Sequence, residues 1–160
     1  MKVWLTQRAE PTPHDNYGQG RLYRNGLLAE RLLKRGHEVT WWTSTFDHYN
    51  KRSRFSKTTK IPVAENYDIF YLDSVRYKHN TSLRRLLSER SVATSFKAAV
   101  SGLEPPDLIF ASYPSIELAH ASIEHGSVHN IPCLVDVLDL WPDVFSDILP
   151  KNYQMLSRLL

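Results

Sequence analysis

Apolar and polar positions in this chain switch repeatedly between a period of two and a helical period. KVWLT (2–6) is a short apolar run that predicts a first strand. LYRNGLLAERLLKRG (22–36) then places Leu22, Leu28, Ala29, Leu32 and Leu33 at helical spacing and stops at Gly36. EVTWWTS (38–44), rich in β-branched and aromatic residues, predicts the second strand. Residues 45–60 have no periodicity and predict a long, mobile loop, and YDIFYL (67–72) predicts the next strand. A long helix is expected over 81–103, capped by Thr81 or Ser82 and stopped by Pro105 and Pro106. DLIFAS (107–112) reads as a buried strand and IELAHASIEHG as a helix ending at Gly126. PCLVDVLD (132–139) reads as a further strand, and YQMLSRLL opens one more helical pattern.

Strands alternating with helices over short connections predict an α/β fold, a doubly wound, mostly parallel sheet of Rossmann-like type. At 160 residues the chain suits one domain, 1–160. It ends inside a helical pattern, so a second domain is expected to be missing. The 42% hydrophobic and 23% charged composition fits a soluble globular protein. MKVWLTQ turns polar too soon for a secretory signal, and no stretch reaches transmembrane length. The single cysteine, Cys133, cannot form an internal disulfide, which makes a reducing cytoplasm the expected setting.

The net charge of +3 is unevenly spread. Residues 44–60 set Lys51, Arg52, Arg54, Lys57 and Lys60 against Asp47 alone, and residues 76–90 set Arg76, Lys78, Arg84, Arg85 and Arg90 against Glu89 alone. Such blocks are either a basic surface for phosphate, diphosphate or lipid headgroups, or simply solvated loops; the solvated reading is the default for 44–60.

Candidate chemistry gathers where loops would leave the strands' carboxyl ends. Gly18 and Gly20 lie between the first strand and the first helix, where free N–H groups and the positive helix end can meet a phosphate. The glycines could equally make only a tight turn. The dinucleotide fingerprint G-x-G-x-x-G fails at Tyr23, and Thr43-Ser44-Thr45 stands where a ribose-binding acid is expected. Arg21 and Arg24 sit at the start of the helix, where the dipole disfavours cations; either an anionic ligand or plain solvation accounts for them. His14 in the same loop reads as polar surface. His120, His125 and His129 share no zincin-like face and have no cysteine pair beside them, so no metal site is expected.

In VDVLDLWPDVF (135–145), Asp136 lies inside the strand and Asp139 at its end, in the crevice where open α/β sheets bind ligands. Trp141 could shield that acid, and Pro142 suits a first helical turn. A carboxylate partly desolvated by an indole can act as a base or bind a hydroxyl. Asp139 is read as functional and Asp143 as a helix cap.

These residues resemble a known family. GQGRLYRNGLLAERLLKRGHEVTWWTS is similar to the amino-terminal stretch of family 4 glycosyltransferases, with a glycine loop, a helix, then RGHEV and a strand. KHNTSLRRLLSERSVATSF resembles the basic segment before their long helix, and PPDLIFASYPSIELAHAS and IPCLVDVLDLWPD resemble their later strands, ending in D-L-W-P. The ordered set is closest to bacterial enzymes that build surface polysaccharide on a lipid carrier. The resemblance implies one half of a GT-B fold: an acceptor-side domain facing a donor-binding carboxyl-terminal domain, which is absent here. The implied activity is metal-independent glycosyl transfer with retention. A nucleotide-sugar is the co-substrate, no other cofactor is implied, and the acceptor is a saccharide or a polyprenyl-diphosphate-linked sugar. By position, Gly18 and Gly20 would face the phosphates, Asp139 would be the cleft aspartate, and Asn80 and Arg84 would belong to the basic acceptor side. The basic blocks would then bring the domain to the anionic inner face of a membrane as a peripheral protein.

Two other functions fit the same residues: a stand-alone nucleotide-binding or dehydrogenase-like domain, and a non-catalytic adaptor docked on a separate subunit. Nucleic-acid binding is not expected, because no aromatic platform is interleaved with the cations.

Overall fold

A computed structural model describes residues 1–15, 22–80 and 82–138. Asp139, Trp141, Pro142 and Asp143, together with Gly18, Gly20, Arg21 and the alternative cap Thr81, lie outside the described residues.

The chain forms a mixed α/β unit on a six-stranded sheet. Its strands are β1 (Lys2–Thr6), β2 (Glu38–Ser44), β5 (Thr59–Ala64), β6 (Tyr67–Leu72), β7 (Leu108–Tyr113) and β8 (Cys133–Val137), in the spatial order β5-β6-β2-β1-β7-β8. All pairings are parallel except β5 with β6. A small antiparallel hairpin, β3 (Phe46–Asp47) with β4 (Arg52–Ser53), stands apart. The helices are α1 (Arg24–Lys34), α2 (Leu83–Val100) and α3 (Ile116–His129). The architecture is compatible with a Rossmann-like α/β fold, and chain order reverses between β1 and β7.

Side-chain alternation divides the core into two clusters. Val3, Leu5, Val39, Trp41, Ile69 and Tyr71 pack with Ala29 of α1 and its neighbours Leu28, Leu32 and Leu33. Trp4, Trp42, Leu72 and Ile109 pack instead with Val92, Phe96 and Val100 of α2 and Leu118 and Ala121 of α3. The second cluster is aromatic at its centre: Trp4 meets Trp42 edge-on at 5.0 Å, and Trp42 stacks on Phe70 at 4.3 Å. Six of the seven residues of β2 are buried, as expected of a central strand covered on both faces.

Four expectations change. Residues 45–60 are not one loop: they hold the β3–β4 hairpin and the start of β5. β5 escaped the pattern because it is an edge strand with Pro62 and a bulge between Pro62 and Ala64, both devices that keep an edge from pairing further. α3 runs past Gly126 to His129, ending at Asn130 in a left-handed conformation (φ 55°). Gly126 serves packing instead, since a Cβ there would collide with Cys133 Sγ. β8 ends at Val137, short of the expected 139. Ser82 does occupy the N-cap of α2, but its hydroxyl donates to His79 O (2.7 Å) and bonds no helix N–H. Gly36 closes α1 as expected, at φ 76°.

Candidate functional site

Parallel strands deliver their loops to one edge of the sheet, and the polar chemistry of the molecule concentrates there. The loop after β1 is the main contributor. Arg8 is buried and bonded to Glu89 and to Ser88 Oγ (3.0 Å) on α2, and Ser88 in turn lies 2.8 Å from Ser74 Oγ. Asp15 is held by Arg54 through Nε (2.7 Å) and Nη2 (2.8 Å) and also accepts the Thr12 N–H (2.7 Å). These pairs fix the loop from both sides of β1.

Glu10 accepts the backbone N–H of Asn25 (2.9 Å) and its Nδ2 (3.0 Å), and Nδ2 also reaches Ser112 Oγ on β7 (3.1 Å). This carboxylate stabilises the start of α1, where no side chain of the N-cap Tyr23 does so. Glu10, Asn25 and Ser112 are all buried, and they bridge β1, α1 and β7 at the point where strand order reverses. Arg24 at the same helix start has an anion too, but an internal one: its Nη1 lies 2.7 Å and 2.9 Å from the two carboxylate oxygens of Asp136 on β8. Neither free ligand nor solvation alone is needed to account for it, and Asp136 is not stranded among apolar residues.

Cations gather a short way along this edge, around the β3–β4 turn. Lys51 Nζ donates to Asn80 Oδ1 (2.6 Å) and lies 4.7 Å from the Tyr77 ring centre, while Arg85 Nη1 donates to the Asn80 carbonyl (3.1 Å). Lys51 sits at φ 52°, a left-handed conformation that costs a β-carbon residue about 1–2 kcal/mol. His48 Nδ1 is 2.6 Å from the Tyr77 hydroxyl. Burial, then the charges of Lys51, Arg8 and Arg85, lower the His48 pKa to about 4, so the ring is neutral at pH 7. Burial, then Arg85 and Arg8, also lowers the Lys51 pKa. In both groups burial comes first, and the positive charges of Arg8 and Arg85 add to it against the opposing charge of the buried Asp47. Glu89 is spent on Arg8. Tyr49, beside this turn, has its phenol pKa raised by burial and then by Tyr23, Glu10 and Asp47.

Of the residues expected from sequence, Arg24 and Asn80 lie on this edge, but Arg84 is exposed and its neighbour Arg85 takes the place beside Asn80. Glu10, Asn25, His48, Lys51 and Tyr77 were not singled out beforehand. Glu10 stood in a loop without periodicity, and Lys51 in a charge run whose default reading is solvated.

Two grooves lie elsewhere. One of about 300 Å³ separates the carboxyl ends of α2 and α3, lined by Val100, Leu103, Ala121, His125 and Val128 among others. The other, about 450 Å³, lies by Met1, Lys2, Glu38 and Asp107 at the opposite sheet edge. The lysines of both grooves are ion-paired within them, Lys97 with Glu124 in the first and Lys2 with Glu38 and Glu104 in the second, so the chemistry is assigned to the carboxyl edge, where parallel α/β sheets bind ligands. Among the described residues no three His, Cys, Asp or Glu side chains converge as metal ligands, and no helix is long and apolar enough to cross a membrane. No protein-family model matches this chain, and no curated protein matches it either.

Proposed function

We propose that this chain is the acceptor-side domain of a retaining, metal-independent glycosyltransferase. It would move a sugar from a nucleotide-sugar to a saccharide or polyprenyl-diphosphate-linked acceptor in polysaccharide biosynthesis. On this reading the sheet is doubly wound, half of a GT-B enzyme, and the domain works at the cytoplasmic face of a membrane beside a donor-binding partner domain. The observation that carries the reading is the cationic rim at the strands' carboxyl edge: Lys51 and Arg85 converging on Asn80, next to a neutral His48. A diphosphate seated there would gain charge-assisted hydrogen bonds from both cations. The buried Glu10–Asn25–Ser112 cluster would floor the same edge and hold α1 in place.

Glu10 also counts against a stand-alone dinucleotide-binding domain. Its carboxylate already accepts an N–H of the α1 start, where a dinucleotide diphosphate would need to sit.

Titration calorimetry with inorganic diphosphate and a short-chain polyprenyl diphosphate tests the site. Lys51→Gly removes the ammonium and suits the left-handed backbone, so stability should stay within about 1 kcal/mol of the parent. Affinity should fall about tenfold or more, the loss of one charge-assisted bond. No binding of either diphosphate, or equal affinity in the variant, would remove the anion site from this rim.

The resemblance assigns the chemistry to Asp139. In the complete enzyme Asp139→Asn should abolish sugar transfer while leaving the melting temperature unchanged. Unaltered turnover excludes Asp139.

A further inference from the structure

α2 presents two apolar faces. Its core stripe, Ser88, Val92, Phe96 and Val100, recurs every fourth residue and is buried. Leu83, Leu86 and Leu87 lie about half a turn away from that stripe, on the outward side of the first two turns. They are 79%, 58% and 52% exposed. With Arg90 they occupy i, i+3, i+4 and i+7, one continuous strip. Exposed apolar residues elsewhere on the helices, such as Tyr23 and Leu27 at the start of α1 and Val128 on α3, do not form a strip of three leucines. Leu134, Val135 and Val137 on β8 form a second exposed group, but the cation beside it, Arg24, is paired with Asp136.

The leucine strip has a basic surround. Arg76, Lys78 and Arg84 are exposed, and none of them forms an ion pair among the described residues. The segment carrying Arg76 is tied to α2 by the Val75 N–H bonding Ser91 Oγ at 3.0 Å. The one acid of this stretch, Glu89, is bonded to the buried Arg8 and cannot neutralise the surface. A short helical face of leucines rimmed by unpaired cations matches an interface where acyl chains meet anionic headgroups. A protein partner would be expected to answer those cations with acids of its own.

We propose that the first two turns of α2 dock on an anionic bilayer, with Leu83, Leu86 and Leu87 entering the headgroup–acyl boundary and Arg76, Lys78 and Arg84 contacting the headgroups. The amino end of α2 follows β6, so it lies at the sheet's carboxyl edge beside Asn80 and Arg85, and docking turns the cationic rim toward the membrane. The proposal extends the membrane side of the reading above but stands on α2 alone. Its assay contains neither sugar nucleotide nor acceptor, so its failure and the failure of the diphosphate titration are separate results.

The test is co-sedimentation of the 160-residue chain with vesicles of phosphatidylcholine alone or with phosphatidylglycerol, at low and high salt. The parent should bind only the anionic vesicles, and more weakly at high salt. Replacing Leu83, Leu86 and Leu87 together by Ser should cut binding about tenfold or more at either salt level, since the apolar burial is lost. Arg76→Gln with Arg84→Gln should remove mainly the salt-sensitive part. Circular dichroism verifies that the leucine variant is folded. As an independent reading, Leu83→Trp should add blue-shifted emission when anionic vesicles are present. The proposal is overturned if the parent ignores anionic vesicles, if the leucine variant binds as the parent does, or if the Leu83→Trp emission does not move. It is also overturned if the parent is a dimer that the leucine variant converts to a monomer, which would make the strip a contact between copies of the chain.

Discussion

The two basic stretches carry the same excess of cations and come to opposite ends. In residues 44–60 the fold supplies counter-charges from outside the stretch as well as its own: Asp15 takes Arg54, Asp68 lies 2.7 Å from Lys60, and the stretch's own Asp47 lies 3.6 Å from Arg52. Lys51 alone among these is directed to the cationic rim. In residues 76–90 the fold removes the local acid instead, drawing Glu89 inward to Arg8 and leaving Arg76, Lys78 and Arg84 uncompensated. A charge run therefore says little about availability until the acids that meet it are known, and some of those acids, such as Asp15 for Arg54, are distant in sequence.

The strongest way to break the contrast is at Asp15 and Arg54. Both side chains are nearly buried, at 4% and 7% exposure, and they are joined by two hydrogen bonds, Arg54 Nε and Nη2 donating to the two carboxylate oxygens of Asp15. Arg54→Met should cost about 3–5 kcal/mol, because it strands a buried carboxylate. Adding Asp15→Asn should recover part of that loss, since the orphaned charge is gone. Urea unfolding of the single and double variants measures both. A loss under about 1 kcal/mol would mean that the pair is solvated as a surface bridge would be.

The next effect is a pH dependence at the border of the two stretches. His48 titrates near 4 in the folded chain against an ordinary 6.5. Between those values the unfolded chain binds a proton that the folded chain refuses, so stability falls as pH drops through the window and is fully present above it. The contribution is about 1–2 kcal/mol once solvent screening of this partly buried ring is allowed for. His48→Gln should flatten the decline between pH 6.5 and 4, measured by urea midpoints. A diphosphate seated beside Lys51 and Arg85 would offset their charge, so an imidazole titration by NMR should move upward when diphosphate is added.

How much of this was legible depends on how local the cause is. β1, β2, β6 and β7 could be read because burial on both faces writes a dense apolar run, and α1 because Ala29, Leu32 and Leu33 repeat before a glycine stop. β5 could not, since its inner face is only half-buried and it carries Pro62, a residue that argues against a strand. The candidate rim was legible in place but not in membership. Strand alternation points to the carboxyl edge, and Asn80 and Arg24 were found there. The pairing of Arg24 with Asp136, 112 residues away, depends on sheet order that no local pattern encodes. Lys51 was hidden for the same reason, inside a run in which Arg52, Arg54 and Lys60 are met by internal acids. Gly18, Gly20 and Asp139 lie outside the described residues, so their part in the edge rests on resemblance.

The smallest effect sharpens the contrast most cleanly, because it concerns a bridge of good geometry that should still be weak. Lys60 Nζ sits 2.7 Å from Asp68 Oδ2, as close as the buried pair at Asp15, yet its side chain is 52% exposed. Water screens the attraction, and ordering a lysine stem costs side-chain entropy. Lys60→Gln should therefore change stability by only about 0.2–1 kcal/mol, and salt should erase the difference. The ammonium also lies 5.6 Å from the Phe70 ring, a contact that salt would diminish less than the ion pair. A loss in Lys60→Gln that persists at high salt would assign the effect to the ring. A loss comparable to Arg54→Met would show that distance, and not burial, decides which cations of the first stretch hold the fold.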